Sequence, residues 1–315
     1  MDKIRRFIDC SFPFDVCNLR CSYCFLAQTG AQFTGKQSCF NYSAGTIERA
    51  LSKERLGGTA FVNICGAGET LIPKEIVEIV YGILKAGHFV SIVTNGTITE
   101  RFNEIMLFPK EFLERCAFVF SLHYIELMKT HKLDDFFDNV MKIKNAGCSF
   151  SIKLVAYDDY LPLRDEIISA CYKRVGAPPH VSLPIDHTQE HSLMTSLKFE
   201  EFISSWSDFG SLSFDAEILN YNVKRTNFCY AGDWSLVLDL SSGNAWQCYG
   251  VSTNEQNIFE NIDNPIKFEA IGHNCIRPYC ICALNYLALG IIPKNGMPTY
   301  SQVRDRSEAE WFIQE

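Results

Sequence analysis

No lysine or arginine block in this 315-residue chain is longer than a few positions, and acidic residues outnumber basic ones, 37 to 29, for a formal net charge of −8. That balance argues against a nucleic-acid or anionic-membrane partner, both of which ask for concentrated positive charge. Long apolar runs are missing too. Stretches such as EIVEIVYGILKAG are interrupted by charges and are too short to span a bilayer. The first residues, MDKIRRFIDCSFPF, contain neither an apolar signal core nor a small-residue cleavage site. Internal repeats and low-complexity tracts are absent. A cytoplasmic protein of ordinary globular composition, 47% hydrophobic and 21% charged, is expected.

Cysteine is what the chain has in excess, with 14 residues. In a reducing compartment such a number is not a disulfide framework, so clusters among the cysteines point to metal or redox chemistry. Six of them, Cys10, Cys39, Cys65, Cys116, Cys148 and Cys171, stand singly and read as small buried hydrophobes. The remaining eight fall into two groups. CNLRCSYC (17–24) has the spacing C-x3-C-x2-C, while Cys229, Cys248, Cys275, Cys280 and Cys282 gather late in the chain.

The first two thirds alternate short apolar runs with amphipathic stretches, the pattern of stacked β-α units around a parallel sheet. Strands are predicted at 4–10, 60–65, 88–94, 116–123, 148–156 and 180–185, and helices near 45–55, 73–86, 100–114, 133–146 and 162–174. Gly57, Gly58, Gly87 and Gly147 each follow a helical run, where a left-handed cap favours glycine. Six strands and five crossovers make a curved, partly open (β/α)6 barrel over 1–195. A connecting segment (196–228) carries a helix at 197–208 with Phe199, Phe202, Ile203 and Trp206 on its apolar face. Then come a cysteine-bearing unit (229–290), opened by a hairpin of SLVLDL, an SSGN turn and AWQCYG, and a tail (291–315).

In parallel sheets, ligands collect beyond the carboxyl ends of the strands. CNLRCSYC, GAGET (66–70), TNGT (94–97) and SLHY (121–124) all fall at such ends. Three thiolates on one loop can hold a cubane [4Fe–4S] cluster by three irons and leave the fourth open to a small molecule, whereas zinc sites usually pair a Cys-x2-Cys knuckle with a distant second pair.

In these residues the sequence resembles the radical S-adenosylmethionine (SAM) superfamily. Cys17, Cys21 and Cys24 match its cluster motif, with the aromatic Tyr23 before the last cysteine, and Gly66-Ala67-Gly68-Glu69 resembles its GGE motif, with Ala67 in place of the second glycine. The resemblance implies an open-site [4Fe–4S] cluster and SAM, whose amino end would meet backbone groups of Gly66–Glu69. Asn95 and Ser121 are the nearest matches for ribose or carboxylate contacts. It also implies reductive cleavage of SAM to a 5′-deoxyadenosyl radical, hydrogen abstraction, and an electron donor such as flavodoxin or ferredoxin.

Cys229 and Cys248, spaced C-x13-G-x4-C, resemble the entry motif of the SPASM/twitch auxiliary domains. With Cys275 and Cys280 or Cys282 they would hold an auxiliary iron–sulfur cluster, nearer the shortened twitch form. His273 is a further possible ligand, and structural zinc is the rival for this group. An auxiliary cluster suggests a two-electron oxidation. Because the first strand starts near residue 4, a small or carbohydrate-like substrate is expected ahead of a peptide. The alternatives are a peptide-modifying maturase (epimerase or crosslinker) and a non-catalytic iron–sulfur protein. His123, Lys153 and the DHTQEH segment (186–191) are candidate cavity or acid–base residues, and Cys65 and Cys148 candidate hydrogen-atom donors.

Overall fold

The computed structural model describes residues 4–31, 40–189, 192–224, 226, 228–251, 254–273, 275–277, 280 and 301–312. Six parallel strands form the wall of an open barrel in sequence order: β1 (Arg6–Phe12), β2 (Ala60–Gly66), β3 (Phe89–Thr94), β4 (Cys116–Ser121), β5 (Ser149–Val155) and β6 (His180–Ser182). Helices cross over between them, the longest at Glu75–Lys85, Leu133–Asn145 and Arg164–Val175. This is the mixed α/β partial barrel expected from the alternating pattern.

Alternation along each strand divides the wall into two faces. Ile8, Cys10, Val62, Ile64, Val90, Ile92, Phe118 and Phe120 turn outward into one apolar core shared with the helices. Odd-numbered residues of β1 and β2 turn inward. Phe7, Phe61, Phe89, Trp234 and Val303 form a separate apolar plug at one end of the barrel. Above it the inward positions become polar, with Asp9 paired to Asn63 in the β1–β2 register and Ser121 to Lys153 in the β4–β5 register.

Two predicted helices are each broken in two. Residues 45–55 divide into Ala44–Ala50 and Lys53–Leu56, because Ser52 caps the second piece through its hydroxyl (Arg55 N to Ser52 Oγ, 3.4 Å). Residues 100–114 divide into Thr99–Ile105 and Lys110–Leu113 at Pro109, which cannot extend a helix from its middle. Helices at Tyr124–Lys129 and Leu212–Asn220 lie outside the predicted set. Gly57, Gly87 and Gly147 do take left-handed backbone angles, φ 73°, 91° and 89°.

After β6 the chain makes a two-residue pairing of β7 (Ile185–Asp186) with β8 (Ser192–Leu193), then the helix Phe199–Trp206. The expected hairpin is β9 (Ser235–Asp239) with β10 (Asn244–Trp246), extended by β11 (Gln256–Asn257). It is continuous with the barrel, because β9 runs parallel to β1 and makes the order β11-β10-β9-β1-β2-β3-β4-β5-β6. Residues 301–312 return to the far edge. There Phe150 N donates to Trp311 O (2.8 Å), and the Trp311 indole, fully buried, donates to Val175 O (3.0 Å).

Candidate active site

The three-cysteine loop leaves the end of β1 and is held by the loop after β2. Ala67 N donates to Phe12 O (3.2 Å), Gly68 N to Phe14 O (2.5 Å) and Glu69 N to Val16 O (2.9 Å), a ladder ending one residue before Cys17. A side chain on Gly68 would sit 2.2 Å from Val16 O, so this approach requires glycine. Ala67 lies on the partly exposed side of the turn.

Glu69 is buried and fastens the next strand end. Its carboxylate accepts from Leu71 N (3.0 Å), Thr94 Oγ1 (2.6 Å) and Asn95 N (2.7 Å). Burial raises its pKa, and the three donors oppose that rise. Asn95 carries the connection back to the cysteine loop through Asn18 (Nδ2 to Oδ1, 2.8 Å) and the Cys17 sulfur (3.7 Å). Asn18 in turn donates to Thr97 Oγ1 (2.7 Å). Glu69 and Asn95 thus join three strand ends.

Cys17, Cys21 and Cys24 lie close enough to sense one another's charge. Burial pushes the Cys17 thiol up to about 11 and Cys21 up to about 12, so both hold their protons at neutral pH until a metal displaces them. Leu19 N (3.4 Å) and Asn95 Nδ2 point at the Cys17 sulfur, the kind of donor that tunes cluster thiolates. Among the described residues no three His, Cys, Asp or Glu side chains converge on one ion. A cubane spreads three ligands over three irons and does not ask for such convergence. The soft donor set, its hydrogen bonds and its place at the strand ends fit an iron–sulfur cluster.

Tyr23 turns toward the strand ends. Its hydroxyl bonds His123 Nδ1 (2.7 Å) and the Tyr160 hydroxyl (2.9 Å), and its ring packs 5.2 Å from that of Tyr157. Burial lowers the His123 pKa to about 4, which keeps the imidazole neutral.

A cavity of about 320 Å³ opens inside the barrel beneath these loops. Asp9, Asn63, Cys65, Ser121, His123 and Lys153 line it, and Tyr249 and Arg304 reach it from the C-terminal third. Lys153 Nζ is paired with Glu217 (3.2 Å), whose other oxygen accepts from Leu183 N (2.8 Å). Of the two candidate hydrogen-donor cysteines, Cys65 borders the cavity and Cys148 lies in the outer apolar core. Asp9, Asn63, Glu217, Tyr249 and Arg304 escaped the motif search. The signal for the first two was a polar residue on the inward phase of an apolar strand, in FIDCSF and FVNICG.

Of DHTQEH, residues 186–189 are described, and they form a turn after β7. The Asp186 carboxylate closes its own turn on Thr188 N and Oγ1 (2.8 and 2.6 Å), bonds that hold its pKa low, and His187 is exposed. In the second cysteine group, Cys229 and Cys248 are half-buried and each senses Cys275. Cys275 and His273 are exposed, Cys280 is half-buried, and Cys282, like Cys39, lies outside the described residues.

Comparison with known proteins decides between a cluster-bearing enzyme domain and an unrelated barrel. Residues 11–160 match the family model described as the radical SAM superfamily. This segment is a radical SAM domain. It spans the cysteine loop, the Gly66–Glu69 turn, Asn95, Ser121 and His123, and it implies a [4Fe–4S] cluster and SAM. No curated protein matches the chain. Among solved structures, Streptococcus suis SuiB is 16% identical with a TM-score of 0.55, over 82% of this chain and 64% of SuiB. SuiB bound to S-adenosylmethionine is 14% identical (TM-score 0.54), over 96% of this chain and 68% of that one. Native anSMEcpe with bound AdoMet is 14% identical (TM-score 0.51), over 81% of this chain and 78% of that one. At these identities the likeness is one of fold, and the chain spans just under two thirds of SuiB in the first of these matches.

Proposed function

We propose that this chain is a radical SAM enzyme that removes hydrogen from a small or carbohydrate-like substrate held in the barrel cavity, in a two-electron oxidation. The observation that carries the reading is the ladder from Phe12, Phe14 and Val16 to residues 67–69, which fixes the three-thiol loop beside a glycine turn over a polar cavity. Cys17, Cys21 and Cys24 would hold the cluster. Backbone groups of Gly66–Glu69 would receive the amino end of SAM, with Tyr23, Asn95 and Ser121 as further contacts. When bound, cluster and SAM supply an oxidant strong enough to take hydrogen from an unactivated carbon.

The chain's own part is positioning and exclusion of water. Glu69 and Asn95 set the relative height of three strand ends. His123 and Tyr160 hold the Tyr23 ring against them. Tyr249 and Arg304 add walls to the cavity from the C-terminal third. Cys229, Cys248, Cys275 and Cys280 or Cys282 would bind an auxiliary cluster able to accept the second electron, a role supported by the mutual approach of the first three and by Tyr249 reaching the cavity from beside Cys248. Electrons would come from a small carrier of the flavodoxin or ferredoxin kind.

A second reading, peptide modification, has support in two of the solved structures of similar fold, SuiB bound to precursor peptide SuiA and anSMEcpe with Cp18Cys peptide. The test is anaerobic reconstitution, reduction and incubation with SAM, reading 5′-deoxyadenosine by chromatography. The wild-type chain is expected to form it and Cys21→Ala to form none, while Cys248→Ala still cleaves SAM. An iron-loaded, reduced wild type that leaves SAM intact contradicts the proposal.

A further inference from the structure

Inside the barrel, Asp9 and Asn63 are register partners on β1 and β2, and Asn63 Nδ2 donates to Asp9 Oδ1 (2.8 Å). That bond fixes the amide: its nitrogen faces the carboxylate, so its oxygen is turned away. Asn63 is nine-tenths buried, and its Oδ1, in a residue that lines the cavity, has no hydrogen-bond partner. A buried carbonyl oxygen left without a donor costs about 1–3 kcal/mol, so the site is built for a donor that arrives with a ligand.

The ionisable groups around it are already engaged: Asp9, whose pKa burial raises, accepts from Asn63 and from the Tyr249 side chain and lies near Arg304, and Lys153 is paired with Glu217 (3.2 Å). A charged ligand meets no unengaged counter-charge among these groups, and Ser182 adds a hydroxyl to the wall. Its volume lies at the small end of ligand pockets.

We propose that the Asp9–Asn63 pair is the polar anchor of the substrate site and selects a neutral, hydroxyl-rich molecule, one of whose hydroxyls donates to Asn63 Oδ1. This rests on the radical SAM reading above and narrows its substrate class.

The probes are myo-inositol and D-glucose, with D-gluconate and D-glucosamine as anionic and cationic counterparts, offered to the anaerobically reconstituted full chain with SAM present. Binding is read by saturation-transfer NMR, independently of turnover. A neutral polyol is expected to bind more tightly than either charged probe, and Asn63→Leu to weaken that binding about tenfold, the loss of one hydrogen bond to a buried group. Asn63→Ala serves in its place if the leucine variant does not melt cooperatively. Binding of a charged probe as tight as the neutral ones, unchanged binding in the variant, or no binding of any neutral polyol overturns the proposal. Deoxyadenosine formation by the same wild-type sample separates this failure from failure of the enzyme reading.

Discussion

Gly68 and Glu69 occupy adjacent positions but do different work. Gly68 permits the approach of two loops, and a methyl group there would meet the Val16 carbonyl at 2.2 Å. Gly68→Ala is therefore expected to push the cysteine loop off its ladder, with iron retention after desalting cut several-fold, while wild-type iron content in that variant would contradict the close-approach argument. Glu69 acts through charge and geometry together. Glu69→Gln keeps the shape yet replaces an acceptor oxygen by an amide donor opposite Asn95 N or Thr94 Oγ1, a loss on the order of 1–3 kcal/mol. A fall in the urea midpoint with an unchanged m-value is the expected reading. These roles were half visible in the sequence. The spacing CNLRCSYC and the residues GAGE marked the place, but that Glu69 spends its carboxylate on Thr94 and Asn95 depends on loops 25 residues apart meeting, which no local pattern encodes.

Among the elements, the helices Ala44–Ala50 and Lys53–Leu56 are tied to the sheet by Arg6, whose Nε donates to Leu56 O (2.9 Å), and by His88. His88 Nδ1 accepts from Ala60 N (3.0 Å), at the start of β2, so its Nε2 carries the proton and donates to Leu51 O (2.5 Å). Burial lowers its pKa to about 4 from an ordinary 6.5. Between those values the unfolded chain takes up a proton that the folded chain refuses, so the stabilisation by His88 is fully present above pH 6.5 and is lost as pH falls toward 4. The melting-temperature advantage of the wild type over His88→Gln is expected to shrink across that window, and a constant difference would show that the imidazole is not held neutral. The elements themselves were largely legible, since strands buried on their outer face and helices with one apolar stripe leave distinct periods. The breaks at Ser52 and Pro109 blurred because the apolar stripe continues across both. The polar inner wall escaped notice for a related reason. Asp9 and Asn63 each interrupt an otherwise apolar strand, and they acquire meaning only once β1 and β2 are placed side by side.

At the scale of the whole molecule, two described parts of the C-terminal third, the β9–β10 hairpin and residues 301–312, are built into the barrel. β9 adds to β1 at one edge, and residues 301–312 cover the other, where Trp311 packs 5.1 Å from Phe150 and 6.0 Å from His180. Trp311→Ala is expected to lower stability by about 3–5 kcal/mol in denaturant titration, the usual loss for a fully buried indole, and a loss under about 1 kcal/mol would mean the tail does not seal the edge. Among the described residues no helix is long and apolar enough to cross a membrane. The sequence read 229–250 as a hairpin and 291–315 as a tail, because parallel pairing of residues 228 positions apart, as Phe7 with Ser235, leaves no trace in local periodicity. The central proposal is that Cys17, Cys21 and Cys24 hold a cluster with one iron left open for SAM. Electron paramagnetic resonance of the anaerobically reduced protein, recorded with and without SAM, tests it most directly. The account expects a cluster signal that SAM alters in the wild type and that Cys21→Ala lacks; a signal indifferent to SAM, or one that survives the loss of Cys21 unchanged, would contradict it.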